Sequence, residues 1–312
     1  MPFFTVIIPL YNKENFVENT IKSIVSQTFY NYEILIINDC STDKSVEKIL
    51  PFLNNTIRLI EHSENKGLSA TRNTGIKNAT SNYITFLDAD DLWKPTFLET
   101  IHQLIIDFPE AKIYGTNYEE VYSKQIVSPV NFPVEISPKS SQIIDFFKYN
   151  FGQGIYNHGS VCFHKSVYEK AGLYDENIDF AEDLDFNIRA NYYFKLAYSN
   201  TIQMQYFMES GSQLTRSSIL YKNLPDYDKY DSLAKENANI SKYLSFERYV
   251  LAKHIKTDGG YELYDKIRSK IDYKYLNWKQ KLLLKSPAFI LKIIKKYKEI
   301  LIKKGIKLTS YL

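Results

Sequence analysis

The chain has 312 residues, of which 44% are hydrophobic and 24% charged, a balance that excludes intrinsic disorder and leaves length for one large core or two ordinary ones. The net charge is only +3, but residues 278–312 hold ten lysines and one glutamate; this end carries +9 and the other 277 residues carry −6, which predicts an anionic surface as the partner of the basic end. Two cysteines, Cys40 and Cys162, exclude a disulfide scaffold and favour a reducing compartment, and five histidines without paired spacing make zinc an unsuitable expectation.

"FFTVIIPL" predicts a first strand rather than a signal peptide, since no basic start and small-residue cleavage site frame it. "NFVENTIKSIVSQTF" repeats its apolar positions at helical intervals, "YEILIIND" returns to strand, and "STDKSVEKILPFL" opens with cap residues and continues as helix. Strand "IRLIEH", helix "LSATRNTGIKNA", strand "YITFL", helix "TFLETIHQLIIDF" and strand "AKIYGT" complete an alternating first half. Such alternation predicts an α/β fold with a mostly parallel sheet covered on both faces. From about residue 116 the pattern loosens. "NYEEVYSKQIVSPVNFPVEISPKSS" reads as loops and short strands, "SQIIDFFKYN" as helix, and "SVCFHKSVYEKAGLYDE" as strand, helix and a turn at Gly172. "FAEDLDFNIRANYYF" predicts a helix opening on acids, "KLAYSNTIQMQYFM" strands, and the chain beyond residue 216 helices. No run reaches the roughly 20 apolar residues of a membrane span, so the expectation is a cytoplasmic protein or one held peripherally on the inner face of the plasma membrane.

In parallel sheets ligands sit at the carboxyl ends of strands, which here are Pro9 to Asn12, Asn38 to Asp43 and Asp88 to Asp91. "NYITFLDADDLWKP" sets three aspartates within four positions at such an end. Like charges this close call for a counter-charge, and a divalent cation with oxygen ligands supplies one; the structural alternative is a strand followed by a helix cap. Neither a G-x-x-x-x-G-K-[ST] loop nor G-x-G-x-x-G follows the first strand, which leaves a cation to neutralise any bound phosphates.

Pro9, Tyr11 and Asn12 after a strand, "INDCSTD", "NKGLSATRNTG", "FLDADD" and "EDLDFNIR" occur in that order, and together this resembles the family 2 glycosyltransferases over residues 3 to 212. The resemblance implies the GT-A fold, a Rossmann-like nucleotide-binding domain over residues 1–215 with a donor half to about 115 and an acceptor half from 116; the C-terminal hundred residues carry none of it, and their own pattern and charge predict a helical, basic region over 216–312. It implies an inverting enzyme that moves a sugar from a nucleotide-sugar donor, a uridine diphosphate sugar here, to a hydroxyl of a glycan or lipid-linked glycan in bacterial surface-polysaccharide or lipopolysaccharide synthesis.

Residue by residue, Asp39 matches the acceptor for the ring N–H of uracil, Tyr11 the aromatic that stacks on the base, Pro9 the turn beside it, and Arg72 a cation facing the diphosphate. Asp88 and Asp90 match the D-x-D motif: Asp90 contacts Mn²⁺ or Mg²⁺, and Asp88 touches the ribose or the metal through water. Asp91 either adds to the site or caps the next helix, and Trp93 either lines the sugar pocket or packs. Asp183 matches the general base with Glu182 beside it; the structural alternative is that Glu182, Asp183 and Asp185 favour a helix N-terminus. Ala181 departs from the Gly or Thr usual there. His158, in "GQGIYNHGSVCF", is a further acceptor-side candidate.

"SPAFILKIIKKYKEILIKKGIKL" is amphipathic and rich in lysine, which fits either a helix on an anionic bilayer or one packed on protein, including a second subunit. A catalytically inactive nucleotide-sugar-binding or scaffolding protein is the alternative function. Nucleic acid is not expected as a partner, because most of the chain is acidic and no reading motif is present.

Overall fold

The structure is a computed structural model that describes residues 1–123, 126–129, 141–208 and 218–302. Strands β1 (Phe4–Leu10) and β2 (Tyr32–Asn38) are β-branched and aromatic runs buried at nearly every position, as strands covered on both faces must be. Helices α1 (Val17–Val25) and α2 (Ser45–Ile49) follow them, and then come β3 (Ile57–Glu61), α3 (Leu68–Asn78) and β4 (Tyr83–Phe86). These strands run parallel in the order β3-β2-β1-β4, with Phe4 opposite Tyr32 and Leu10 opposite Asn38. Each crossover returns the chain to the same end, so the carboxyl ends of β1, β2 and β4 open on one edge. α3 lies close on β1 because Gly75 faces Ile7; a Cβ at that position would overlap the Ile7 side chain.

The second half comprises β5 (Leu92–Trp93), α4 (Phe97–Asp107), β6 (Ile113–Ser123), β7 (Ile126–Pro129), β8 (Ser141–Ile144), α5 (Phe146–Tyr149), β9 (Val161–His164), α6 (Lys165–Ala171), α7 (Glu182–Tyr193) and β10 (Leu196–Phe207). They extend the sheet as β4-β9-β6-β10, with β9 antiparallel to both neighbours, while β8 and β5 pair with opposite ends of β10. Val6, Ile8 and Leu10 pack with Val17, Ile21 and Ile24 of α1 and Phe97 and Ile101 of α4. Ile7 and Phe86 point the other way, toward Ile76 of α3, Val167 of α6 and Phe186 of α7. Two expectations change here. The helix expected over "SQIIDFFKYN" is a strand plus one helical turn, because residues 141–144 pair with Leu196–Ser199 of β10 before Asp145 caps α5. The loose pattern after residue 116 conceals an eleven-residue strand, β6, which pairs with β10 through two register shifts.

The chain from 218 is helical: α8 (Asp231–Glu236), α9 (Ala238–Asp258), α10 (Tyr261–Ser269), α11 (Trp278–Lys285) and α12 (Ala288–Ile302). α9 starts where the Asn237 side chain accepts from the Asn239 and Ile240 N–H groups, and stops at Gly259, whose φ of 98° suits glycine. Ile240, Tyr243, Tyr249 and Ile255 of α9 join the same apolar cluster as Phe146, Tyr156 and Phe186, so these helices share their core with the sheet. The boundary expected near 215, the middle of the segment "NFPVEISPKSS" and the end of the basic helix from Lys303 onward lie outside the described residues.

Candidate active site

A cleft of about 740 Å³ opens at the carboxyl edge of the sheet. Its lining takes Pro9, Tyr11, Asp39, Arg72, Asp88 and Asp90 from the parallel half, and His158, Glu182 and Asp183 from the segments that follow. The strand-end convergence expected from the sequence is therefore present. Three non-glycine residues, Asn12, Cys40 and Ala181, hold φ values of 51°, 62° and 61°, the left-handed region that side chains seldom adopt, and all three lie in loops of this edge. Asn12 shows what sustains it: its Oδ1 accepts from the Thr42 N–H at 2.8 Å while its own N–H donates to Ser41 Oγ at 3.1 Å, locking the loops after β1 and β2 together.

At one end of the cleft Tyr11 is 45% exposed, a free aromatic face, above the buried Asp39. The Asp39 carboxylate accepts from the Lys66 N–H at 2.8 Å and the Gly67 N–H at 2.9 Å, and Oδ1 also accepts from His62 Nδ1 at 2.7 Å. His62 Nε2 lies 2.9 Å from Thr74 Oγ1, so the ring is oriented from both sides. This fixes Asp39 and leaves Oδ2 with acceptor capacity toward the cleft.

In the middle, Arg72 is buried and donates from Nη1 to Glu182 Oε1 at 2.7 Å and from Nη2 to Asp88 Oδ1 at 3.5 Å. The guanidinium thus joins Asp88 to Glu182, an acid 110 positions from Arg72 in the chain, rather than standing free in the cleft, and its Nε has no partner. Burial raises the Asp88 carboxyl; Arg72 opposes that rise, while Asp90 and Glu182 add to it. Asp90 meets Lys13 Nζ at 2.6 Å. Asp91 lies apart: fully buried, it accepts from the Phe207 N–H at 3.0 Å and ties down the end of β10. It does not cap the next helix, since β5 intervenes and α4 starts after Thr96. Trp93 is outside the lining as well. Its Nε1 donates to the Gly159 carbonyl at 2.6 Å and its ring packs on Phe97, so it packs in the core and does not present a face to a sugar.

The acid pair enters from α7. Ala181, in the left-handed conformation, turns the chain so that Glu182 and Asp183 begin the helix facing the cleft. Asp183 is half-buried, accepts from the Leu184 N–H at 2.9 Å, and is pushed up to about 6 by burial and the neighbouring Glu182 against the pull of Arg72. Asp185 has another task. It is buried against Lys229 at 2.6 Å, Tyr230 Oη at 2.7 Å and Arg189 at 3.0 Å, which outweigh burial and hold its carboxyl below the usual range. His158 lines the cleft as a neutral imidazole, because burial and then Arg72 depress it; Nε2 pairs with Tyr174 Oη at 2.9 Å, and Nδ1 is without a partner.

Lys13, His62, Tyr156, Asn187 and Tyr206 were not legible as site residues. Lys13 and His62 stand at the ends of β1 and β3, the same edge as the recognised motifs, and that position was the available signal. Asn187 lies one turn beyond Asp183 on α7, with Oδ1 buried and unpartnered.

Asp88 and Asp90 offer the hard oxygen donors that Mn²⁺ and Mg²⁺ prefer, and the ammonium of Lys13 on Asp90 shows that this position accommodates positive charge. Among the described residues no group of three or more Asp, Glu, His or Cys side chains is arranged to hold a metal alone. The aspartates thus offer part of a ligand set for such a cation.

The glycosyl transferase family 2 profile matches residues 5–172. The chain is 44% identical over 116 residues to glycosyltransferase GlyA of Streptococcus pneumoniae, covering 36% of this chain and 16% of the relative. It is 34% identical over 133 residues to the Escherichia coli UDP-Glc:alpha-D-GlcNAc-diphosphoundecaprenol beta-1,3-glucosyltransferase WfgD, covering 43% of this chain and 52% of the relative. The matches thus span about half of one relative and far less of the other. In fold, the chain superposes on S. aureus TarS 1–349, solved in complex with UDP-GlcNAc, with a TM-score of 0.60 and 16% identity, over 86% of this chain and 71% of that one. The mixed, mostly parallel sheet flanked by helices is therefore the GT-A fold.

Proposed function

The chain belongs to glycosyl transferase family 2, and from that premise we propose that it is an inverting transferase that moves a sugar from a uridine diphosphate sugar to a hydroxyl of a glycan acceptor. The observation that carries this reading is the meeting of Asp88 and Asp90, at the end of the parallel half, with Asp183 of α7 in one cleft. Residues to about 115 serve the donor and those from 116 to about 215 the acceptor. Tyr11 stacks on the base, Pro9 shapes the wall beside it, and Asp39 accepts the ring N–H of uracil through Oδ2. Arg72 holds Glu182 and Asp88 in position and supplies positive charge behind the diphosphate. Mn²⁺ or Mg²⁺ at Asp90, with Asp88 beside it, supplies charge neutralisation for the departing diphosphate when bound.

Asp183 takes the proton of the acceptor hydroxyl as that oxygen bonds to the anomeric carbon and the bond from that carbon to the diphosphate breaks on the opposite face. A carboxyl held at about 6 is ionised at neutral pH, yet basic enough to share a proton in the transition state. Glu182 and His158 stand on the acceptor side of Asp183. Among the relatives, one is named for teichuronic acid biosynthesis and one for a diphosphoundecaprenol-linked acceptor. A lipid-linked glycan of this kind is the acceptor class we assign.

The test is release of uridine diphosphate from a panel of its sugars in the presence of lipid-linked glycan acceptors. Wild type turns over at least one pair, while Asp183→Asn loses about a hundredfold or more in rate yet still binds the nucleotide. Unchanged turnover in Asp183→Asn would remove this carboxyl from the chemistry.

A further inference from the structure

We propose that α11 and α12 form a docking surface for an anionic lipid bilayer. The surface lies outside the cleft and does not depend on the reaction assigned to it. Both helices pack on α9, and the buried residue of α12 is Leu291. Phe289, Ile293, Tyr297 and Ile300, at i, i+4, i+8 and i+11, run along another side and are 45–63% exposed. On α11, Trp278 and Leu282 stand one turn apart and are 70% and 58% exposed. Single exposed apolar side chains are ordinary, whereas six on two consecutive helices make an interaction surface.

Charge selects the occupant. Lys292 and Lys296, three and seven residues after Phe289, flank the apolar stripe, and with Lys279, Lys285 and Lys295 they are exposed. A symmetric contact between two copies would bring the same basic patch to both sides of the interface, and crowding like charge there costs Coulomb energy. An anionic head-group layer supplies the opposite charge, receives the apolar stripe at the acyl boundary, and lets lysine stems extend along it. Among the described residues no helix is long and apolar enough to cross a membrane, so the contact is one of lying on the surface. The net −6 of the remaining chain is repelled by the same head groups, which turns the basic end toward them.

The test is co-sedimentation of the full chain with vesicles of phosphatidylglycerol and phosphatidylcholine, against vesicles of phosphatidylcholine alone. Binding to the anionic vesicles is expected to be stronger by about tenfold or more and to weaken with added salt. Two combined variants, Phe289→Ser with Ile293→Ser, Tyr297→Ser and Ile300→Ser, and Lys292→Gln with Lys295→Gln and Lys296→Gln, are each expected to lose most of that binding. Their substitutions sit at exposed positions, so both should melt at the wild-type temperature. Equal binding to the two vesicle types, or full binding by both variants, overturns the proposal. So does a wild-type dimer in sedimentation velocity that the serine variant dissociates while neither protein binds vesicles.

Discussion

Asp183 gathers the chemical argument into one side chain. Its carboxyl lies at about 6 because burial and Glu182 disfavour the charge more than Arg72 favours it. The folded-state value is above that of an unfolded aspartate near 3.9, so the protonated form is the one that folding favours. Its contribution to stability is present below the unfolded value and is lost as pH rises through about 6. Two outcomes follow. The rate constant kcat/KM should climb with pH to a midpoint near 6, measured by initial rates across pH 4.5–8. In addition, Asp183→Asn should melt higher than wild type at pH 7, by on the order of 1 kcal/mol once solvent in the cleft is allowed for, even as it loses activity. A profile flat through pH 6 would deny Asp183 the role of base.

At the level of elements, the alternating strands and helices place Pro9, Tyr11, Asp39, Asp88 and Asp90 on one edge without reference to any contact. That is why these residues could be read from the sequence. Local rules did not reach Tyr156 or Tyr206, which enter the lining through packing between distant segments. Nor did they reveal β8, because "SQIID" has helical spacing and becomes strand only when β10 presents an edge to it. Trp93, adjacent to the aspartates in sequence, turns away because the Gly159 carbonyl and the Phe97 ring claim it. The contact of α3 with β1 carries a prediction of its own. Gly75→Ala should destabilise the fold by about 1–3 kcal/mol through crowding of Ile7, a stiff β-branched side chain in the central strand. Chemical denaturation with an unchanged m-value would show it. Wild-type stability in that variant would mean that α3 and β1 are less closely packed than described.

Over the whole molecule, the helices from 218 onward anchor the wall that carries Asp183. Asp185 of α7 reaches Lys229 and Tyr230, while α9 buries Tyr243 and Tyr249 in the cluster that holds Phe186. Asp185→Ala leaves Lys229 and Arg189 without their shared carboxylate and should cost about 3 kcal/mol, seen as a lowered Tm. The sign with pH is opposite to that of Asp183. A depressed carboxylate stabilises above its unfolded value and loses that contribution as pH falls, so the gap between wild type and Asp185→Ala should close in acid. A gap that widened in acid would assign the stability to another group. While Arg72 and Asp183 were picked out only by the resemblance of their motifs, the α/β class and the strand-end residues were legible because they follow from period and position. The joining of the C-terminal helices to the same core was not, because "ANISKYLSFERYVLAKHIKTD" reads only as a helix and its partners lie about ninety residues earlier.

The cleft is proposed as a donor site for a uridine diphosphate sugar, completed by a cation at Asp90. Calorimetric titration with uridine diphosphate, against guanosine and thymidine diphosphates, with and without Mn²⁺, tests it most directly in wild type and Asp90→Asn. The expected result is preferential binding of the uridine nucleotide that Mn²⁺ strengthens in wild type and fails to strengthen in the variant. Equally weak binding of all three nucleotides, indifferent to Mn²⁺ and to the substitution, would contradict the account.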